Sequence, residues 1–254
     1  MSNNLLKERM KAGEILAGTF IKTPAHEIIE VFAKSRMDFL TLDAEHASFD
    51  RRGMDVCLAV ARALSFPALV RVPAGTPSEI LKALDAGATG IVVPHVNSVE
   101  KARAVVQASH FGHGGRGFAG STRWAGYATR PMADVLDQSA RETVVIVQIE
   151  EPEAVEAAEE IAALEGVDGL FVGPADLAVC YGVTDPAGKE VRDAMRHVAN
   201  ATQKHNKTLM TFAPNAAACK ELQEIGVTMF YVASEHSFML SVANDTADSL
   251  HSLG

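Results

Sequence analysis

The sequence has few cysteines, no long hydrophobic segment and no glycine-rich nucleotide motif, and each absence excludes a class of protein. The cysteines Cys57, Cys180 and Cys219 are far apart and lack metal-ligand spacing, which indicates free thiols in a reducing compartment. No run approaches the ~18 apolar residues that a membrane-spanning helix needs. No G-x-G-x-x-G follows a predicted strand and no P-loop is present, so a nucleotide-binding sheet is not indicated.

The charge of the chain argues against nucleic acid or an acidic membrane as a partner. The formal net charge is −9 and the sequence pI is about 5.5. A small anion remains a possible ligand, because the local field of a site can oppose the net charge. The segment Met1–Lys11 is polar apart from Leu5-Leu6, so we expect no signal peptide and a cytoplasmic protein.

Short apolar runs alternate with longer amphipathic stretches along the chain. The 254 residues match the usual size of one α/β barrel, and the count of eight strand–helix pairs matches as well. We therefore predict a single (β/α)₈ TIM-barrel domain over residues 1–254; the alternative, a doubly wound sheet, usually has fewer strands. The predicted strands are Ile15–Ile21, Phe39–Asp43, Ala68–Val72, Gly90–Pro94, Val144–Glu150, Gly169–Val172, Thr208–Phe212 and Met229–Ala233.

Two segments do not fit the simple alternation. Phe111–Pro131 is rich in glycine, arginine and aromatic residues without a steady period, and loops of this length are usually functional or disordered. We interpret it as a specificity loop or a subunit contact, with a solvated insertion as the alternative. The last stretch, Ser237–Leu253, either closes the barrel or packs on a neighbouring subunit.

Polar residues follow four of the apolar runs, and this pattern is the main indication of function. In a barrel, the carboxyl ends of the strands meet at one rim, where catalytic residues lie. Carboxylates, an imidazole and a guanidinium at one rim suit a divalent metal and an anionic substrate. The four segments are Asp43-Ala44-Glu45-His46, Val70-Arg71-Val72-Pro73, Gln148-Ile149-Glu150 and Gly173-Pro174-Ala175-Asp176.

Glu150 and Asp176 are the candidate metal ligands. They end the fifth and sixth strands, which are neighbours if the barrel closes in sequence order. Two carboxylates from adjacent strands leave most of the coordination sphere to water and substrate, as expected for Mg²⁺ or Mn²⁺. An acid at a helix start is commonly only a cap, but Gln148 alternates onto the same face as Glu150, and the combination favours a metal site.

Arg71, His46 and Asp85 are the candidate catalytic residues. Arg71 faces the mouth of the barrel, since burial without a partner is costly; a salt bridge to a rim carboxylate is compatible with this position. His46 follows the second strand in one short turn with two carboxylates. Asp85, near the end of the helix over Pro77–Ala86, is a candidate to orient the ring of His46, although spacing alone does not establish it.

These motifs resemble the metal-dependent (class II) pyruvate aldolases of the 4-hydroxy-2-oxoheptanedioate aldolase family, nearly end to end. The sequence is also similar to 2-dehydro-3-deoxyglucarate and 2-keto-3-deoxy-rhamnonate aldolases and, more remotely, to citrate lyase β-type lyases. The marks of the resemblance are Asp43-x-Glu45-His46, Arg71-Val-Pro, Asp85-x-Gly87-Ala88-x-Gly90, Val93-Pro94-x-Val96, Arg116-Gly117, Gln148-Ile149-Glu150 and Gly173-Pro174-x-Asp176-Leu177.

The resemblance implies reversible aldol cleavage of a 4-hydroxy-2-oxo acid to pyruvate and an aldehyde, with Mg²⁺, Mn²⁺ or Co²⁺ held by the two carboxylates named above. It implies that Arg71 and Gln148 contact pyruvate or its enolate and that His46 and Asp85 form an acid/base dyad. It also implies a homo-oligomer, a hexamer or a trimer. The turn Gly173-Pro174-Ala175-Asp176 opens a helix, whose free N–H groups suit the carboxylate of pyruvate.

Three departures from the family pattern leave the aldehyde open. Phe111–Gly115 stands where Tyr-Pro-Pro is frequent, His95 replaces a Met or Phe, and Ser234-Glu235 replaces a Ser-Asp pair. All three lie toward the aldehyde side, whereas the metal and pyruvate residues are complete.

Three alternatives stay open at this point, besides a Schiff-base aldolase, for which the predicted strand ends offer no lysine. A citryl- or malyl-thioester lyase would use the same metal pair and would require coenzyme A. A phosphosugar isomerase would require a glycine-rich phosphate site after strands seven and eight, and the segments there are not glycine-rich. A Schiff-base aldolase needs a lysine at a strand end; Lys22 follows the first strand, and the other lysines fall mainly on helices or turns. A barrel that only binds a keto acid is the non-enzyme alternative.

Overall fold

Eight parallel strands form a closed barrel in sequence order in the computed structural model, which describes residues 5–253. Each strand pairs with the next along the chain, and the last pairs with the first, so the predicted (β/α)₈ barrel is confirmed. The start of the polar N-terminal segment, residues 1–4, lies outside the described residues. The strands are β1 (Leu16–Ile21), β2 (Phe39–Asp43), β3 (Ala68–Arg71), β4 (Gly90–Val93), β5 (Val144–Ile149), β6 (Gly169–Val172), β7 (Thr208–Ala213) and β8 (Met229–Ser234).

Helices surround the barrel, and one of them begins at Pro77, as the sequence predicts. Side-chain caps at Asp50, Thr76 and Ser98 each accept a backbone N–H three residues later, as expected for helix starts. The helices are α1 (Leu5–Lys11), α2 (His26–Phe32), α3 (Arg51–Ala63), α4 (Pro77–Asp85), α5 (Val99–Ser109), α6 (Met132–Glu142), α7 (Pro152–Glu156), α8 (Ala158–Ala162), α9 (Pro174–Cys180), α10 (Lys189–Lys204), α11 (Ala216–Ile225) and α12 (Glu235–His251).

The sequence predicted the start of α9 at the turn Gly173–Asp176 but did not predict α1 and α6, and the contacts of α1 show why. Its Leu6 and Met10 are buried in the apolar cluster that fills the barrel interior. The buried ammonium of Lys7 donates to the carbonyl oxygen of Thr143 at 2.7 Å and lies 3.0 Å from Asp168. Because these partners are more than a hundred residues away in the chain, the short polar segment carries no local sign of its helix.

The interior of the barrel is filled with side chains, so a ligand can enter only at an end. Phe20 and Tyr231 stack with their ring centroids 4.0 Å apart, and the Tyr231 hydroxyl lies 2.6 Å from the Thr41 hydroxyl. A second apolar cluster packs the outer face of the strands against the helices. The strands are therefore buried on both faces, and this explains why most residues in each strand sequence are apolar without alternation.

The long segment Phe111–Pro131 packs beside the end of α4, on the side of the barrel where the strands begin. Arg116 donates to the carboxylate of Asp85 at 2.5 Å, and the N–H of the buried Trp124 lies 3.4 Å from the carbonyl oxygen of Asp85. The segment is therefore remote from the strand ends of its own chain. Its role in specificity or as a subunit contact stays a prediction.

Two expectations about the chain as a whole agree with the structure. All three cysteines carry free thiols, and Cys57 is buried. Within residues 5–253, no helix has both the length and the apolar character needed to cross a membrane.

Gly90 is essential for the contact between β4 and β5, and its replacement gives a test of the barrel. A Cβ at this position would overlap the carbonyl oxygen of Val144 and lie 2.6 Å from its Cβ. Since a backbone atom must move, we expect Gly90→Ala to lower the free energy of unfolding by about 1–3 kcal/mol, measured by urea denaturation. Gly117→Ala is the control, because no atom lies within 4 Å of the added carbon. Equal stabilities would contradict the close approach.

Candidate active site

Several of the residues predicted at the strand ends line one cavity at the mouth of the barrel. The cavity has a volume of about 330 Å³, and Arg71, Gln148 and the turn Gly173–Asp176 line it. A site of this size suits a small molecule. The sequence analysis did not assign a role at the site to the remaining lining residues, Phe20, Lys22, Phe171, Phe212, Ala233, Ser234 and Ser237.

Arg71 is fixed by the buried carboxylate of Asp43, the last residue of β2. Its Nε and Nη2 donate to the two oxygens of Asp43 at 3.0 and 2.8 Å, and Nε lies 3.3 Å from Glu45. The Nζ of Lys22 lies 3.2 Å from the same Asp43 carboxylate. The predicted salt bridge to a rim carboxylate is therefore present, and the guanidinium lines the cavity at the same time.

The environment of Asp43 favours its charged form. Burial acts to raise the pKa of this carboxyl group, but the hydrogen bonds and charge of Arg71, the N–H of His46 and the charge of Lys22 outweigh burial, so the pKa lies below its ordinary value. For Arg71, burial acts to lower the pKa, and the carboxylates of Asp43 and Glu45 raise it above its ordinary value. The pair is thus held as ions in the barrel mouth.

Glu150 and Asp176 both lie beside Gly173. A Cβ built on Gly173 would be 3.1 Å from the Glu150 Cβ, 3.3 Å from an Asp176 carboxylate oxygen and 3.4 Å from the Gln148 amide nitrogen. Burial raises the pKa of Glu150, and the charge of Asp176 raises it further, while the N–H and ring of His95 act in the opposite direction. A cation bound beside these two side chains would favour the charged form of Glu150.

The donor set around Gly173 fits a divalent metal that prefers oxygen ligands. The Gln148 side chain donates to Glu150, and its own carbonyl oxygen is buried without a hydrogen-bond partner in the described part of the chain. Over residues 5–253, no group of three or more His, Cys, Asp or Glu side chains is placed to hold a metal ion. The protein would therefore supply two carboxylates, with water and substrate completing the coordination sphere, as the sequence analysis expects.

His95 is close to the carboxylate groups, although its place in the sequence indicated only the aldehyde side. The backbone N–H of His95 donates to the Glu150 carboxylate at 2.7 Å. Its ring atom Nδ1 lies 3.0 Å from Glu151, and its ring atom Nε2 lies 3.6 Å from Glu45. Burial acts to lower the pKa of His95, and the three carboxylates raise it above the ordinary value. Its φ of 55° is unusual for a residue other than glycine, and such strain is frequent at functional sites.

His46 and Asp85 do not meet within one chain. His46 follows the carboxyl end of β2; its side chain is 58% exposed, and its Nε2 lies 3.7 Å from Glu45. Asp85 is the last residue of α4, which leads away from the mouth to the start of β4, and its carboxylate pairs with Arg116. Among the residues that the structure describes, no hydrogen bond or ion pair joins the two, because they lie at opposite ends of the barrel.

The chain is similar to known proteins over nearly its whole length. A sequence model of the family described as HpcH/HpaI aldolase/citrate lyase matches residues 16–241. The chain is 31% identical to the hydroxypyruvate/pyruvate aldolase of Paraburkholderia phytofirmans, with 98% of both chains covered. It is 33% identical to the 5-keto-4-deoxy-D-glucarate aldolase of Enterobacter sp., with 98% of this chain and 99% of the relative covered. A solved HpcH/HpaI aldolase/citrate lyase family protein from Burkholderia cenocepacia superposes with a TM-score of 0.92 at 33% identity, covering 98% and 99% of the two chains.

We predict that Asp43→Asn destabilises the fold at neutral pH. The substitution removes the carboxylate that accepts two hydrogen bonds from the buried Arg71 and leaves Glu45, 3.3 Å from its Nε, as the remaining charge partner; breaking such a buried pair costs about 3–5 kcal/mol of unfolding free energy. Because the pKa of Asp43 is lowered by folding, its contribution is present above the unfolded carboxyl value of about 3.9 and disappears as the pH falls through the lower folded value. Urea denaturation of both proteins from pH 7 to pH 3 measures this convergence.

Asp55→Asn is the matched control for this prediction. Asp55 also pairs with an arginine, Arg123, at 2.5 Å, but its side chain is about half exposed. Exposed pairs contribute about 0–1 kcal/mol. If Asp43→Asn lowers the free energy of unfolding no more than Asp55→Asn does, the pair of Asp43 and Arg71 does not stabilise the mouth of the barrel.

Proposed function

The chain belongs to the HpcH/HpaI aldolase/citrate lyase family, and we propose that it catalyses the divalent-metal-dependent, reversible aldol cleavage of a 4-hydroxy-2-oxo acid to pyruvate and an aldehyde. The observation that carries this proposal is the convergence of Arg71, Gln148 and the turn Gly173–Asp176 on one cavity, with Glu150 beside Gly173. The names of the aldolase relatives support the reaction type.

Glu150 and Asp176 are the residues we assign to the metal, which we expect to be Mg²⁺, Mn²⁺ or Co²⁺. When bound, such an ion acts as a Lewis acid on the oxo acid and makes the methyl protons of pyruvate more acidic. Arg71 meets the negative oxygen that develops when the carbon–carbon bond breaks, and its contacts to Asp43 hold it in place before the reaction. Gln148 and the backbone of Gly173, Pro174 and Ala175 bind and orient the oxo-acid end.

His46 is the residue we assign to proton transfer at the C4 hydroxyl. Its imidazole is exposed beyond β2, where it can reach a substrate that extends out of the cavity. In the same chain its carboxylate neighbour is Glu45. Since Asp85 lies at the opposite end of the barrel, the predicted dyad of His46 and Asp85 requires a second copy of the chain.

A second copy also accounts for the exposed apolar face of α12. Glu235 is the one buried residue along α12, all of which the structure describes. The rest of the helix and α2 form an apolar groove of about 780 Å³, in which Val31 is 67% and Val242 is 65% exposed. Apolar patches of this kind on a folded chain mark association surfaces. We assign this groove to another copy of the chain, in a homo-oligomer that we expect to be a hexamer or a trimer.

We predict that Glu150→Gln and Asp176→Asn each lower kcat/KM by about 100-fold or more, because each removes one of two anionic metal ligands. A panel of 4-hydroxy-2-oxo acids with Mg²⁺, Mn²⁺ or Co²⁺ provides the assay, with released pyruvate coupled to lactate dehydrogenase. Calorimetric titration with Mn²⁺ separates lost metal binding from lost catalysis. Glu153→Gln, an exposed position on α7, is the control. Full activity after treatment with EDTA would refute metal dependence.

We predict that Val242→Glu dissociates the assembly, since a charge in the apolar groove cannot be desolvated without a partner. Sedimentation velocity of the wild-type protein and the variant measures the change in mass. Ser241→Glu is the control, because Ser241 is exposed on the same helix but does not line the groove. A wild-type protein that sediments as a monomer would contradict the proposal, as would an unchanged multimer of the Val242→Glu variant.

A further inference from the structure

Arg116, in the segment Phe111–Pro131, is a fully buried arginine. Its Nη2 forms an ion pair with the carboxylate of Asp85 at 2.5 Å, and none of its side chain is exposed. In the described part of the chain, its Nε and Nη1 are buried without a hydrogen-bond partner. Burying an arginine with unsatisfied donors is costly, and a neutral residue would avoid this cost. The position therefore indicates a need for the positive charge.

The carboxylate of Asp85 is not placed where it would stabilise its own helix. Asp85 is the last residue of α4, and the negative end of a helix dipole disfavours a carboxylate. Its side chain keeps 24% of its surface exposed, so the carboxylate reaches the molecular surface while Arg116 lies behind it. The charge of Arg116 offsets the helix dipole. The two residues thus form a pair whose acidic member faces outward.

Contacts on both sides fix the orientation of this carboxylate. Its Oδ1 accepts the hydrogen bond from Arg116, and the guanidinium lies over the ring of Phe111, 4.4 Å from the centroid. The backbone carbonyl oxygen of Asp85 lies 3.4 Å from the N–H of the buried Trp124. Over residues 5–253, Oδ2 of Asp85 takes part in no hydrogen bond or ion pair. One carboxylate oxygen is thus held in place, while the other can accept a donor from outside the chain.

The surface beside this pair includes exposed aromatic side chains. Phe118 packs edge-on against Phe111 with ring centroids 5.3 Å apart, and 38% of its surface is exposed. Tyr127, in the same segment, is 61% exposed. Aromatic residues are enriched where proteins associate. The outward carboxylate of Asp85 therefore lies in a surface suited to contact with another copy of this chain.

We propose that Arg116 is a positioning residue for the active site of a neighbouring copy, where it holds Asp85 so that Oδ2 accepts a hydrogen bond from the partner subunit's His46. This inference rests on the proposed function, in which His46 transfers the C4 hydroxyl proton and its dyad with Asp85 requires a second copy. A carboxylate on one ring nitrogen fixes the orientation of an imidazole and directs the other nitrogen towards the substrate. Arg116 acts through Asp85, without contact with the reacting atoms.

The first test compares catalysis with ligand binding in Arg116→Gln and Arg116→Met. We expect each to lower kcat for cleavage of a 4-hydroxy-2-oxo acid about 10- to 100-fold with KM nearly unchanged, because the imidazole loses its fixed orientation. Calorimetric Kd values for Mn²⁺ and for pyruvate should be unchanged, since their residues lie at the other end of the same chain. An unchanged kcat would overturn the proposal, as would a loss of Mn²⁺ or pyruvate binding large enough to explain the lower kcat.

A double-mutant cycle shows whether Arg116 works through Asp85. Asp85→Asn should lower kcat at least as much as Arg116→Gln does. The double variant should be no less active than Asp85→Asn alone, because the second change removes a group whose target is already lost. Losses that multiply in the double variant would give Arg116 a separate role and contradict the inference.

Mixed oligomers test which copy Arg116 serves. Two variants with different affinity tags are co-expressed, and mixed oligomers are purified through both tags. With His46→Ala and Arg116→Gln, random arrangement gives about a quarter of the sites an intact His46 and an intact Arg116 from another copy, so about a quarter of the wild-type activity should return. Arg116→Gln and Asp85→Asn together should recover none, because both changes fall on the same side of each contact. No recovery in the first mixture, or recovery in the second, would overturn the proposal.

Two further variants are controls. Arg116→Lys keeps the charge and should lower kcat less than Arg116→Gln does. Arg123→Gln removes another arginine of the same segment, which pairs with Asp55 at 2.5 Å and keeps 19% of its side chain exposed, and should leave kcat unchanged. An equal loss of kcat in Arg123→Gln and Arg116→Gln would show a general disturbance of the segment and would overturn the specific role of Arg116.

These outcomes distinguish the inference from the proposed function. If the wild-type protein releases pyruvate from no 4-hydroxy-2-oxo acid with any of the three metals, the proposed function fails. If the protein is active but Arg116→Gln keeps the wild-type kcat, the aldolase assignment stands and only the role of Arg116 is wrong.

Discussion

The buried carboxylate of Asp43 organises the mouth of the barrel. It ends β2, receives two hydrogen bonds from Arg71 at the end of β3, accepts the N–H of His46 and lies 3.2 Å from the ammonium of Lys22 after β1. A single side chain thus joins the ends of three neighbouring strands. Without it, Arg71 and Lys22 would lose the carboxylate that they share, and Arg71 would keep only its contact with Glu45 at 3.3 Å.

On the opposite side of the mouth, two carboxylates rather than two cations lie close together. The charge of Asp176 disfavours ionisation of Glu150, and a side chain on Gly173 would crowd both residues, since its Cβ would be 3.1 Å from the Glu150 Cβ and 3.3 Å from an Asp176 oxygen. The strained backbone of His95 holds an N–H against Glu150. A cation bound here would relieve this repulsion, which gives the assignment of a metal a physical basis independent of family membership.

Lys22 and His95 show why the pattern of polar residues at strand ends does not identify every residue of the site. Their positions after β1 and β4 are visible in the sequence, but the pattern does not say which side chains turn inward. Their orientation depends on contacts with Asp43, Glu150 and Glu151, which belong to other strands and loops. Such contacts form only when the barrel closes, so no local signal marks these residues as part of the site.

The sequence by itself determined the barrel, its strands to within a residue or so, and the convergence of Arg71, Gln148 and Gly173–Asp176, because apolar runs that end in polar residues place those residues on one rim. Tertiary structure alone decided that α1 packs into the end of the barrel opposite the mouth and that Asp85 is remote from His46. Residue spacing alone reveals neither fact, because it does not show which end of the barrel a residue occupies. The helix after each strand returns the chain from the mouth to the end where the next strand begins. The direction of each element, rather than its composition, decides which residues meet.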